Sequence, residues 1–146
     1  MLQPIDVFDF EVASRVIAIQ RDSYRVEADL IGFDGIPPLH ETADDLANLD
    51  LQWLGSWEDG VLVGIMAWSV QDGHCEIDRL AVHPTSFRRG HGRALVSSLL
   101  HHRSVTVSTG TMNIPARRLY ESLGFAPVTE REIAPGVTVT GFRRIQ

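Results

Sequence analysis

Between a strand-like run, Glu76 to Val82, and an apolar helical run, Ala94 to Leu100, the chain reads Arg88-Arg89-Gly90-His91-Gly92-Arg93. A glycine-bearing, strongly basic loop therefore opens straight into a helix. The first N–H groups of a helix have no partner inside it and carry the positive end of its dipole. Glycine lets a ligand approach the backbone closely, and arginine adds charge and forked donors. Together these make a seat for phosphates at Arg88, Arg89, Gly90, His91, Gly92, Arg93 and Ala94. A plain turn with its arginines in water satisfies the same residues, and a bare G-x-G does not separate the two readings.

Whatever the loop binds must suit the rest of the chain. At 146 residues the sequence fits one domain, 1–146, with one sizeable core. The formal net charge of −6 argues against a general nucleic-acid binder. The arginines gather at 88–93, 117–118 and 143–144, whereas Asp6, Asp9, Glu27, Asp29, Glu41, Asp44 and Asp45 fall early. A local basic site in an acidic body suits an anionic cosubstrate and a cationic second substrate. No apolar run is long enough to cross a membrane, and the start of the chain, with Asp6, Asp9 and Glu11, does not resemble a signal peptide. Cys75 is the only cysteine, which excludes an internal disulfide and a cysteine metal cluster. No metal site is expected, and a cytoplasmic location is expected.

Taken in order, apolar residues at a helical period predict a helix from Asp9 to Tyr24. The paired prolines of Gly32–Pro38 predict a loop. Thr42 caps a short second helix to Leu49. These helices and their loop either line an acceptor site or merely cover one sheet face. Leu51–Trp57 and Val61–Val70 read as a hairpin about Asp59-Gly60, the second strand covered on both faces. In the strand His74–Val82 the apolar residues switch from odd positions, Cys75 and Ile77, to even ones, Leu80 and Val82. Side chains alternate along a regular strand, so the switch predicts a bulge near Asp78–Leu80, or else a strand buried on both faces. A short strand, Ser104–Ser108, precedes a helix capped by Asn113 and stopped by Gly124, and two last strands lie at Val128–Ile133 and Val137–Arg144. The fold class is α/β, a mixed and mostly antiparallel twisted sheet flanked by helices.

Asn113, Ala116 and Tyr120 share one helix face at these spacings, with the small Ala116 leaving room between two polar side chains. Asn113 through Phe125 reads N-x-x-A-x-x-L-Y-x-x-x-G-F, and Phe87 through Gly92 carries the glycines of Q/R-x-x-G-x-G/A, with Phe87 in the leading position. The pair resembles the GCN5-related N-acetyltransferase family, over His74 to Phe125. The resemblance implies an acyl-CoA N-acyltransferase-like fold and acetyl transfer from acetyl-CoA to a small-molecule or peptide amine. It implies that amides of the basic loop hold the coenzyme's diphosphate. It further implies that the backbone of Leu80, Ala81 and Val82 pairs with the pantetheine arm, that Asn113 contacts that arm, and that Tyr120 protonates the departing thiolate. A homodimer is a family-level expectation.

The chemistry asks for such parts. A backbone N–H at Leu80 or Ala81 suits the oxygen that gains charge. Because the resemblance implies a carboxylate on this strand, Glu76 is the first choice of base, acting directly or through water; Asp78 and His74, of the same parity, and a water chain alone are its competitors. Glu76 is equally well read as the partner of Arg79 or of another surface cation. Cys75 reads as a buried small apolar residue, not a nucleophile. Two other classes remain beside the transferase. A P-loop or dinucleotide enzyme is disfavoured, because the first pattern is absent and the second incomplete. A CoA-binding sensor without catalysis also fits the motifs.

Overall fold

The structure, a computed structural model, describes every residue from Met1 to Gln146. The chain runs β1 (Leu2–Pro4), α1 (Phe10–Ile31), α2 (Pro37–His40), α3 (Ala43–Ala47), β2 (Gln52–Glu58), β3 (Val61–Gln71) and β4 (His74–Val82). A 3₁₀ turn at Pro84–Ser86 leads to α4 (His91–Ser97), β5 (Ser104–Gly110), α5 (Ile114–Ser122), β6 (Ala126–Ala134) and β7 (Val137–Ile145). The seven strands lie in the order β1-β2-β3-β4-β5-β7-β6. Every neighbouring pair is antiparallel except β4 and β5. No helix is long and apolar enough to cross a membrane.

Local chemistry accounts for the boundaries. The Asp9 carboxylate accepts from the amides of Glu11 and Val12 at the start of α1. Gly32, at φ 69°, ends it in the left-handed conformation. The helix thus runs seven residues past the predicted Tyr24. The paired prolines do not hold the chain in a loop as predicted. They open α2 in its first turn, where a missing N–H costs nothing. The Asp45 carboxylate accepts from the Thr42 amide at 2.8 Å, half of a capping box for α3. The two hairpins turn on Asp59 and Gly60 and on Asp72 and Gly73, all at positive φ, as two-residue turns between twisted strands require. Residues 1–5, too short for a strand assignment by sequence, supply β1 through pairing with β2.

The sheet separates two apolar cores. Val16, Ile17, Ile19, Leu46, Trp53 and Ile65 pack on the side of α1 and α3. Met66, Ile77, Leu95, Val96, Val105 and Phe142 pack on the side of α4 and α5. β3 divides its side chains between them, so Leu62 to Ala67 are all buried. The parity switch in β4 has its cause in one unpaired residue. Ala67 pairs with Arg79 and Trp68 with Ile77, so Asp78 has no partner. This bulge puts Cys75, Ile77 and Leu80 on one face despite their mixed parity, and turns Arg79 and Ala81 to the other.

The end of α1 is fitted tightly against β5. A methyl group at Gly110 would stand 2.5 Å from Ile31 Cγ2 and 3.3 Å from its Cβ. Gly110→Ala is therefore expected to lower unfolding free energy by about 1–3 kcal/mol, the usual cost of overpacking. Urea denaturation checks this, and adding Ile31→Ala should recover much of the loss.

Candidate active site

Strands β4 and β5 pair only at His74 with Ser104, Cys75 with Val105 and Glu76 with Thr106. Beyond Glu76 comes the bulge, and the two strands diverge. Their divergence opens a cavity of about 570 Å³. Leu80 and Val82 form one wall, Val107 to Thr109 another, and Ala116, Leu119 and Tyr120 of α5 a third. The His83 amide bonds to Val63 of β3 at 2.7 Å. By alternation Ala81 also faces β3, while the amides of Leu80 and Val82 face the opening. Ala81 is thereby removed as an oxyanion donor. The Leu80 amide donates at 3.2 Å to the hydroxyl of Tyr24, which also lines the cavity.

At the mouth lies the basic loop. Arg88 and Gly90 both have positive φ, 64° and 83°. No amide from Arg88 through Gly92, nor that of Arg93, finds an acceptor in the protein, and the first helical bond comes from Ala94 to Gly90 at 3.0 Å. Within the predicted loop, 88–94, Ala94 is thus the one amide already spent. The arginine side chains divide. Arg89 pairs with Glu58, and Arg93 donates to Ser122 Oγ at 2.6 Å, whereas Arg88 lines the cavity without an ion pair. His91 bridges Glu58, at 2.6 Å from Nε2, and Ser56, at 2.7 Å from Nδ1. Its hydrogen bond, with the Arg89 charge behind it, holds the Glu58 carboxyl below the ordinary carboxylate range. The loop is thereby strapped to the end of β2.

Tyr120 is fixed by the end of α5. Phe125 N–H donates to Tyr120 C=O at 3.0 Å and Gly124 N–H to Glu121 C=O at 3.1 Å. These are the two bonds of a Schellman stop, with Gly124 at φ 90°. Phe125 and Phe142 flank the Tyr120 ring at 5.7 and 5.9 Å between centroids. The hydroxyl has no protein partner and opens on the cavity. Burial, and then the charge of Glu27, push this phenol above the ordinary tyrosine range, and burial does the same for Tyr24. Both hydroxyls keep their protons through neutral pH. A further arginine serves the scaffold: Arg144 donates to the C=O of Leu123, at the end of α5, at 2.9 Å and to the C=O of Leu100, in the turn after α4, at 3.3 Å.

Two predicted roles change. Asn113 spends its side chain on the protein. Its Oδ1 accepts from the Ala116 amide at 3.3 Å, and its Nδ2 donates to Glu27 at 2.9 Å and Thr109 at 3.3 Å. Glu76 lies exposed on β4 and lines neither this cavity nor its neighbour. It is not the partner of Arg79 either. That buried guanidinium pairs with Glu41 and Asp78 and donates to Gln20 Oε1 at 3.1 Å. Burial alone would lower its pKa, and the bond to Glu41 with the two carboxylate charges reverses this, so it is raised. His74 is bonded to Ser104 at 2.6 Å, away from the opening. Asp78 does line the cavity, with its carboxylate on Arg79.

The carboxylate at the centre is Glu27 of α1. Its Oε1 accepts from Thr109 Oγ1 at 2.7 Å and from Asn113, and its Oε2 has no partner in the protein. Tyr24, at the end of the predicted apolar period, and Glu27, one of the early acidic residues, carry no site role in the sequence reading, because their partners Leu80, Thr109 and Asn113 are distant in the chain. A second cavity, of about 470 Å³, shares Tyr24, Glu27, Asp78, Arg79, Ser108 and Thr109 with the first and is closed by the α1–α2 loop and β6.

Solved structures share this fold. The ribosomal-protein-S18-alanine N-acetyltransferase from Escherichia coli superposes with a TM-score of 0.77 at 18% identity, over 99% of this chain and 92% of that one. The yncA protein of Salmonella typhimurium, solved with its cofactor acetyl-CoA, gives 0.71 at 19% identity over 99% and 92%. The paia N-acetyltransferase of Thermoplasma acidophilum, in complex with coenzyme A, gives 0.71 at 16% identity over 100% and 98%. Such a sheet, split beside a basic loop, is the acyl-CoA N-acyltransferase-like fold. The profile of the Acetyltransferase (GNAT) family matches residues 15–125, and the chain belongs to that family. Among curated relatives, the UPF0157 protein YqkA of Bacillus subtilis (strain 168) is 33% identical over 135 residues, 90% of this chain and 39% of that protein. The N-acetylaspartate synthetase of Xenopus tropicalis is 33% identical over 97 residues, 60% of this chain and 36% of that protein. The chain thus spans less than half the length of the curated relatives it matches.

Cys75 is fully buried in the core on the α4 and α5 side of the sheet, and burial pushes its thiol up to about 11. Below that pH it stays protonated and shielded. Dithionitrobenzoate at pH 8 is expected to leave Cys75 unlabelled in the folded protein and to label it only after denaturation. Prompt labelling of the native chain would contradict the packing of β4.

Proposed function

We propose that this protein is an N-acetyltransferase that moves an acetyl group from acetyl-CoA to a primary amine within one ternary complex. The observation that carries the reading is the run of partnerless amides at 88–93 opening on the same cavity as the partnerless Tyr120 hydroxyl. Acetyl-CoA, bound as a substrate, supplies the acetyl group as a thioester. The residues fit it at both ends. Free amides and the Arg88 guanidinium suit a diphosphate. The outward-facing amide of Val82 suits an extended arm laid along β4 as an added strand, while the Leu80 amide is kept by Tyr24.

Each remaining group has a task. Glu27 Oε2 takes the proton that the ammonium must lose before its nitrogen can attack, and Thr109 and Asn113 hold Glu27 in place through Oε1. The Tyr24 hydroxyl, which accepts from the Leu80 amide, points its own proton at the oxygen that gains negative charge. As the C–N bond forms and the C–S bond breaks, Tyr120 gives its proton to the sulfur. Burial raises the phenol, and it raises a leaving thiolate in the same cavity for the same reason. After attack the nitrogen still carries one proton too many; that proton restores the Tyr120 phenolate, and the proton held by Glu27 leaves to solvent, the two groups lining one cavity.

Release of free thiol from acetyl-CoA with an amine panel tests the reading. Tyr120→Phe and Glu27→Gln should each lower kcat by about 10²–10⁴-fold, with CoA affinity within about threefold of the parent. Because the Tyr120 phenol lies above its ordinary value of 10.0, loss of its proton should produce no fall in kcat between pH 8 and pH 10. Unchanged kcat in Tyr120→Phe would remove the acid role.

A further inference from the structure

The second cavity has a chemistry of its own. Glu27 and Asp78 line it. Arg131 of β6 lines it too, together with its cross-strand partner Val139 of β7. The α1–α2 loop closes it with Phe33, Ile36 and Pro37. Two guanidinium groups line this space, and they are not equivalent. Arg79 is neutralised by Glu41 and Asp78. Arg131 makes no ion pair and no side-chain hydrogen bond, because its neighbours Glu130 and Glu132 project from the other face of the strand. The space therefore brings together the Glu27 carboxylate, apolar side chains and one cation, Arg131, that no carboxylate neutralises. It meets the first cavity at Glu27, the group that would deprotonate an amine.

We infer that the second cavity is the acceptor site, and that it takes an amine of amino-acid or dipeptide size bearing a carboxylate and an apolar side chain, the ammonium at Glu27 and the carboxylate at Arg131. This rests on the transferase reading above and adds the acceptor class to it. The volume of about 470 Å³ is in the range of small-molecule sites and too small for a folded partner's surface loop with its flanks. An acceptor with a positive group at its far end would meet Arg131 and be rejected. One with no charge there would leave the guanidinium to water and gain nothing from it.

The test uses the full chain with acetyl-CoA and matched acceptors: L-phenylalanine with phenethylamine, L-leucine with isopentylamine, and Leu-Gly with its amide. The carboxylate-bearing member of each pair is expected to have at least a tenfold higher kcat/KM. Arg131→Gln should raise KM for that member about tenfold, with kcat within twofold, and leave its uncharged counterpart unchanged. Arg131→Lys, which keeps the charge, should restore part of the preference. Equal turnover of both members, or an equal loss on both in Arg131→Gln, would overturn the acceptor class while leaving the transferase reading intact. If no amine at all is acetylated although CoA binds, both fall together.

Discussion

One surplus residue in one strand shapes this molecule. Asp78 has no partner on β3. Parallel pairing of β4 with β5 ends two residues earlier, at Glu76. A bulge bends its strand and sharpens the local twist. Here it carries Leu80 and Val82 away from β5, so that backbone groups a closed sheet would consume are turned into a cavity. An unpaired strand edge is ordinarily a hazard. In this protein it is covered by α1 above and α5 below, and what remains is a slot with polar edges and apolar walls.

The charges are arranged around that slot by a division of labour. Several arginines of the basic clusters are bound to the protein itself: Arg89 to Glu58, Arg93 to Ser122, Arg144 to the Leu123 carbonyl at the end of α5. They set the shape of the loop and the end of α5. The charge presented to a ligand comes from the loop's free amides and from Arg88, which need no side-chain ordering beyond the loop fold itself. The buried network of Arg79, Glu41, Asp78 and Gln20 does for the opposite side what the Glu58 strap does for the loop. It ties the α2–α3 junction to the bulge. Breaking either partner of Arg79 would leave a charge short of its compensation in a dry place, which is costly.

Much of this was legible in the residues. The motif from Asn113 to Phe125 encodes a cap, a face and a stop, each a local interaction, and the structure has all three. The parity switch located the bulge because side-chain alternation is a strict rule of strands. The loop was legible because its glycines and arginines are adjacent in the chain. What failed was non-local. Glu27 lies 86 residues from the Asn113 that holds it, and nothing in either neighbourhood announces the pair. Glu76 was favoured from its place on β4, but the bulge and the short β4–β5 pairing leave it on an exposed stretch away from the opening. The last turns of α1 looked unlike a helix because their inner face borders a cavity and not a core. The prolines at 37 and 38 were read as breakers when they serve as helix starters.

The central claim is that exposed amides at the mouth of the slot hold a diphosphate and so place the thioester carbon beside Tyr120. Calorimetric titration of the whole chain with CoA, and separately with pantetheine, which has the same thiol arm and no diphosphate, tests it most directly. The account predicts saturable binding of CoA, and affinity for pantetheine weaker by about 100-fold or more, roughly 2.7 kcal/mol. Equal affinity for the two compounds, or no heat with CoA, would contradict it.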